Sequence, residues 1–142
     1  MNFSSVIQRL ARVFRRPDLS VFHEFMRPPY GGGNQFLLAL IRQFEQTGLR
    51  TERNRISPSS RACLFNSFNF DFERLKRARR PGCRMVHRVD GPLSAYRGED
   101  DGTDARIVEM NHALADATIF QSKYSLEKHR ELGLEFKNPT VI

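Results

Sequence analysis

Three successive glycines, Gly31, Gly32 and Gly33, precede Asn34 in the run Pro28-Pro29-Tyr30-Gly31-Gly32-Gly33-Asn34. With no side chain between the amides and a ligand, such a turn leading into a helix can hold a phosphate against the helix N-terminus. Three more clusters carry complementary chemistry: Asn66 in Asn66-Ser67-Phe68-Asn69; His87, Arg88 and Asp90 in His87-Arg88-Val89-Asp90-Gly91; and Ser122 and Lys123 in Gln121-Ser122-Lys123. Asn34, Asn66 and Ser122 offer neutral hydrogen bonds, Arg88 and Lys123 a charge that pairs with phosphate, and His87 or Asp90 a base or an orienting group for a substrate hydroxyl. Each also has an ordinary role. A glycine run turns the chain, Asp90 before Gly91-Pro92 bonds the following backbone, and His87, alternating with Arg88, is a hydrogen-bonded core ring. Asp90, at the strand's end, is therefore the better catalytic candidate of the two.

The elements decide whether these groups meet. Leu19 to Phe25 reads as a strand, and Asn34 to Thr47 as a helix with Phe36, Leu37, Leu40, Ile41 and Phe44 on one wide face and Gly48 as its stop. Leu49 to Ile56 is a second strand, polar enough through Arg50, Arg53 and Arg55 for a sheet edge. Ala62 to Phe68 and Arg84 to Val89 are the third and fourth strands, separated by a basic helix over Asp71 to Arg79 that Pro81-Gly82 stops. Gly91 to Gly102 reads as a long polar loop, then come a helix over Asp104 to Ala115 and a strand over Asp116 to Gln121. A helix capped by Ser122 or Ser125 runs to Leu132, and Pro139 to Ile142 is a last strand. Alternating strands and helices predict an α/β fold with a mostly parallel sheet flanked by helices, whose ligands gather at the carboxyl ends of the strands. All four polar clusters follow predicted strands, so all four are expected at one edge.

Other readings of the same residues fare worse. A dinucleotide fingerprint would need a third small residue where Phe36 stands, and Glu52 lies early in its strand among arginines rather than at its end. Glu99, Asp100, Asp101 and Asp104 read as solvated, helix-starting carboxylates, so no metal and no other cofactor is expected. The helix carrying Arg74, Lys76, Arg77, Arg79 and Arg80 would suit a phosphate backbone, but Phe72 and Leu75 go to its buried side, which leaves a nucleic-acid-binding module as runner-up and nucleic acid a disfavoured partner.

With 39% hydrophobic residues in 142 there is material for one real core. The net charge of +7 favours anionic partners without choosing among them. Cys63 and Cys83 form no CxxC pair, so neither a disulfide scaffold nor a zinc site is indicated and a reducing cytoplasm fits best. No apolar run approaches the roughly 20 residues that span a bilayer. Residues 1–17 form a separate segment in which Val6, Ile7, Leu10, Val13 and Phe14 recur at helical spacing beside Arg9, Arg12, Arg15 and Arg16. Such a basic amphipathic helix either lies on an anionic membrane surface, at its inner face, or packs on the domain or a partner.

The stretches VFHEFMRPPYGGGNQF, MVHRVDGPLSAYRG and ADATIFQSKYSLEKHRELG, in that order, resemble the N-terminal domain of family-4-like retaining glycosyltransferases with the two-domain GT-B fold, over roughly residues 19 to 142. The resemblance implies a Rossmann-like, acceptor-side domain over residues 18–142. It implies that a nucleotide-sugar is the donor and a carbohydrate or lipid-linked molecule the acceptor, and that Gly31, Gly32 and Gly33 approach the donor diphosphate. Asp90, more than His87, matches the family's His or Asp near the transferred sugar, and Ser122 and Lys123 match its polar cleft lining. Nothing in the chain corresponds to the family's second, donor-binding domain, so a truncated enzyme, inactive alone, or a partner chain that completes the cleft is expected. A noncatalytic subunit of a two-chain transferase is the remaining alternative.

Overall fold

The fold is given by a computed structural model that describes Ile7 and residues 16–142. The expected basic amphipathic helix therefore lies, but for Ile7 and Arg16, outside the described residues. Six strands make one sheet: β1 (Leu19–Phe22), β2 (Thr51–Arg53), β3 (Ala62–Asn66), β4 (Arg84–Val89), β5 (Ala117–Phe120) and β6 (Pro139–Val141). Their order is β2-β1-β3-β4-β5-β6, and every neighbouring pair is parallel. The helices are α1 (Gly32–Gln46), α2 (Phe72–Ala78), α3 (Leu93–Arg97), α4 (Thr103–Leu114) and α5 (Lys123–Glu131). This is the α/β, Rossmann-like arrangement that the alternation of elements predicts.

Strand alternation sorts side chains to two faces. Phe22, Cys63, Phe65, Met85, Val89 and Phe120 point to one, where Leu75 of α2 and Ile107, Met110 and Leu114 of α4 complete the larger core. Burying each such large side chain contributes about 1.5–3 kcal/mol. Val21 and Leu64 point to the other, against Leu37 and Ile41 of α1. The chain moves one way from β1 to β2 and the other way from β3 to β6, and right-handed crossovers then place α1 opposite the remaining helices. Beside α1 the second face keeps a cavity of about 290 Å³, lined by Phe36, Leu40, Phe44, Leu64, Val86 and Ile119 among others.

The differences from the sequence reading are local. β1 ends at Phe22 rather than Phe25, because the Asn54 side chain, on a residue with φ of 51°, accepts from the His23 amide and donates to the His23 carbonyl and so takes the chain out of the ladder. β3 stops at Asn66, where Ser67 turns at φ 48°. The Gly91–Gly102 stretch is not all loop: α3 forms within it, its start held by Asp104, which accepts from the amides of Leu93 (2.7 Å) and Ser94 (2.9 Å) and from the Ser94 hydroxyl (2.7 Å). β2 is an edge strand, as its arginines predict. Among the described residues no helix is long and apolar enough to cross a membrane.

Candidate functional site

The order of the sheet reverses between β1 and β3, and the carboxyl edge at such a reversal is where open parallel sheets bind ligands. Three of the four polar clusters meet there. Gly31 is the N-cap of α1, with φ 69°, and no side chain caps the helix or places an acid in its first turn. The first helical bond runs from the Gln35 amide to the Gly31 carbonyl (3.0 Å), so the amides of Gly32, Gly33 and Asn34 have no partner within the helix. Asn66, at the end of β3, faces this turn: a Cβ added to Gly33 would lie 3.2 Å from its Nδ2. A side chain at 33 would crowd Asn66, which would have to give by a few tenths of an ångström, and glycine at 31 is required by the backbone.

Arg88 fixes the geometry from β4. Its Nη1 donates to Asn66 Oδ1, its Nη2 lies 2.9 Å from Asp90 Oδ1, and its guanidinium sits 4.4 Å from the centre of the Phe36 ring on α1. Only 3% of Arg88 is exposed. The residue expected to meet a phosphate therefore ties β3, β4 and α1 together from beneath the edge. With its Oδ1 oxygen accepting from Arg88, the Asn66 amide is oriented so that its Nδ2 group faces Gly33. Among the described residues one Asp90 oxygen has no protein partner, and 42% of the side chain is exposed, so a hydroxyl can reach it.

Asn34 and His87 are placed differently from the expectation. Asn34 is buried, with its side chain accepting from the Met26 amide (3.0 Å) and donating to the Met26 carbonyl (2.8 Å). Its side chain latches the loop after β1, so of its polar groups only the backbone amide, which the helix leaves unpaired, remains for a ligand. His87 is fully buried, stacked on Phe65 at 4.4 Å, with Nε2 donating to the Ser67 carbonyl (2.8 Å) and Nδ1 accepting from Asn111 (3.1 Å). Burial pushes its pKa down to about 4, against the Ser67 carbonyl, which raises it. A neutral ring with both nitrogens committed is a core group, and the base expected at His87 has no route to a ligand. Ser122 accepts from the Ser125 amide as the cap of α5, and Lys123 is exposed. Both lie at the same edge but beyond β4, about 10 Å from β3 at the usual strand spacing.

One residue at the edge escaped the sequence reading. His23 follows β1 and is 4% exposed; among the described residues neither of its ring nitrogens, nor the buried Arg88 Nε, has a partner of good hydrogen-bond geometry, the Asn69 backbone lying near without making one. Burial holds the His23 pKa below the ordinary value; the Asn69 backbone, Glu24 and Asp90 oppose the shift and Arg88 adds to it. Buried polar groups are nearly always paired, so orphaned groups of this kind gather at functional places. The signal in the sequence is a histidine directly after the apolar Val21-Phe22, masked by Phe25, which makes the strand pattern run on past it.

The remaining acids and bases lie elsewhere. Asp100 and Asp101 accept from the amides of Gly102 (2.9 Å) and Thr103 (3.0 Å), and Asp101 also pairs with Arg97. Among the described residues no three His, Cys, Asp or Glu side chains gather as metal ligands. Of the exposed cations on and just after α2, Lys76, Arg79 and Arg80 flank an open depression at the opposite edge with Gly82 and Asp116, and Arg79 is itself bonded to the Ala113 carbonyl. No protein-family model, curated protein or solved structure matches this chain.

Proposed function

We propose that this chain is the acceptor-side, Rossmann-like domain of a retaining glycosyltransferase. It takes a sugar from a nucleotide-sugar to a hydroxyl of a carbohydrate or lipid-linked acceptor, opposite a second Rossmann-like unit or companion chain that binds most of the donor. The observation that carries this reading is the convergence of the amides of Gly32, Gly33 and Asn34, which the helix leaves unpaired, with the Asn66 amide held by Arg88. Such preorganised neutral donors suit the negative charge that grows on a departing diphosphate, and they need no rearrangement as it forms. Asp90, beside them, accepts a hydrogen bond from a sugar or acceptor hydroxyl. The resemblance of the three sequence stretches supplies the reaction; the convergence supplies the anion.

Calorimetric titration with uridine and guanosine diphosphates, with inorganic phosphate and with single-stranded RNA tests the reading. With most of the donor site on the other unit, diphosphates are expected to bind the wild type weakly and to fail with Asn66→Asp, which keeps the shape and the acceptor for Arg88 but turns a carboxylate toward the phosphate. Binding of RNA alone, with an affinity that falls steeply with salt, would instead support the basic face of α2 as the functional surface. Unchanged diphosphate binding by Asn66→Asp would remove the Gly33–Asn66 cradle from the account.

A further inference from the structure

The two faces of the sheet are covered unequally. Leu75 of α2, Ile107 of α4 and Leu126 of α5 all pack on the larger core, where Phe65, Met85 and Phe120 are fully buried. Among the described residues α1 alone covers the second face. There Leu64 of β3, Val86 of β4 and Ala117 and Ile119 of β5 are only partly buried. All-parallel sheets occur almost only with both faces covered, so the strip over β4 and β5 lacks a covering element.

The chain itself brings a suitable element to that strip. The cavity of about 290 Å³ beside α1 reaches from Leu19, the first residue of β1, over Val86 and Ile119 to Ile142, which is 71% exposed. Leu19 follows Arg16 by three residues, so the segment before β1 is delivered to the rim of this cavity. On a helix Val6, Leu10, Val13 and Phe14 share one side with Ile7 at its margin, an apolar arc of about 120° centred on Leu10. Arg9, Arg12, Arg15 and Arg16 take the opposite side. Ile7 is helical and 61% exposed, as a residue at the margin of the arc should be. The lengths also agree: a helix over residues 4–15 measures about 18 Å, and the three strand spacings from β1 to β5 about 14 Å.

We infer that residues 4–15 dock on the second face of their own sheet, over Val86 and Ile119, with Leu10 at the centre of the contact and the arginines turned outward. The inference goes beyond the glycosyl-transfer reading and does not depend on it. A segment tethered within three residues of the groove has an effective concentration of about millimolar, which favours its own sheet over that of a second copy. Once the apolar arc is spent on the sheet, only the arginine side remains for solvent or an anionic surface, and the segment is no membrane anchor.

Methyl NMR on the full chain tests this. Nuclear Overhauser contacts are expected from the Leu10 and Val13 methyl groups to those of Val86 and Ile119, and a mixture of labelled and unlabelled copies is expected to show them only within one copy. Leu10→Asp is expected to abolish the contacts and, by baring the strip, to raise the fluorescence of anilinonaphthalene sulfonate at least threefold. Arg12→Asp, on the opposite side of the segment, is expected to keep the contacts. Should Leu10→Asp fail to fold by circular dichroism, the wild-type contacts decide alone. Absence of contacts from residues 6–14 to the second face overturns the docking, as does equal fluorescence from wild type and a folded Leu10→Asp. Contacts found only between copies overturn it in favour of a swapped dimer. Flotation of the wild type with phosphatidylglycerol vesicles, accompanied by loss of the contacts, overturns it in favour of a membrane surface.

Discussion

The three glycines at the start of α1 do different work, and replacing each by alanine should separate their roles. Gly31 has φ 69° and ψ 124°, a backbone outside the left-handed helical region that side-chain-bearing residues rarely adopt, so Gly31→Ala is expected to lose about 1–3 kcal/mol of stability. Gly32 is the first residue of α1, and a Cβ there meets nothing within 4 Å. Alanine is the better helix former by up to about 1 kcal/mol, so Gly32→Ala should be neutral or stabilising, with diphosphate binding retained. Gly33→Ala gains the same propensity, but its methyl group would lie 3.2 Å from Asn66 Nδ2, a contact that relaxes only if Asn66 gives way by a few tenths of an ångström. Its stability should stay within about 1 kcal/mol of wild type while its diphosphate affinity falls at least tenfold, or about 1.4 kcal/mol. Urea unfolding followed by circular dichroism measures the first quantity and calorimetry the second. If Gly32→Ala and Gly33→Ala changed affinity alike, the account of Asn66 facing the turn would be refuted.

Stability should also depend on pH through the buried histidines. His87 titrates near 6.5 when unfolded and at about 4 when folded, so the unfolded chain takes up the proton first. The stability present above pH 6.5 is therefore lost as pH falls toward 4, by about 3 kcal/mol at the limit, and the depressed pKa values of His23 and His129 act in the same direction. Unfolding free energies measured from pH 7.5 to 4.5 should show this slope, and His87→Gln should flatten it; an equal slope in the variant would place the proton uptake elsewhere. Asp104→Ala removes the bonds that start α3 and should cost about 1–2 kcal/mol, measured by urea unfolding, while a change below about 0.3 kcal/mol would mean that α3 does not depend on them. Asn34→Ala frees the Met26 backbone and should speed hydrogen exchange at the Met26 amide at least tenfold, whereas unchanged protection would show that the loop is held by other contacts.

The alternation of elements was legible because its signals are local. β4 runs from Arg84 to Val89 as the strand expected after the Pro81-Gly82 break, and of the two serines offered as the cap of α5 it is Ser122 that caps it. The misread pieces depend on partners distant in sequence. β1 is cut short by Asn54, 31 residues from His23, and α3 is started by Asp104 from 10 and 11 residues downstream. No local window contains such bonds. The candidate site shows the same division. That polar groups would collect at the strand ends followed from the alternation alone, but their division of labour did not. Arg88 and Asn34 have side chains well suited to a ligand, and the fold spends both on itself: one bridges β3, β4 and α1, the other latches a loop. His87 and Arg88 are adjacent on β4, yet one faces the larger core and the other the carboxyl edge beside α1, a distinction set by which helix covers which face.

The central claim is that the α1 turn and Asn66 form one anion cradle. Its most direct test is a titration of the isotope-labelled chain with uridine diphosphate, read by amide NMR. The backbone amides of Gly32, Gly33 and Asn34 and the side-chain amide of Asn66 are expected to shift together, along one binding curve, while the amides of α2 stay still. Shifts confined to Arg74–Arg80 of the basic segment, or an Asn66 side chain that does not respond when the glycine amides do, would contradict it.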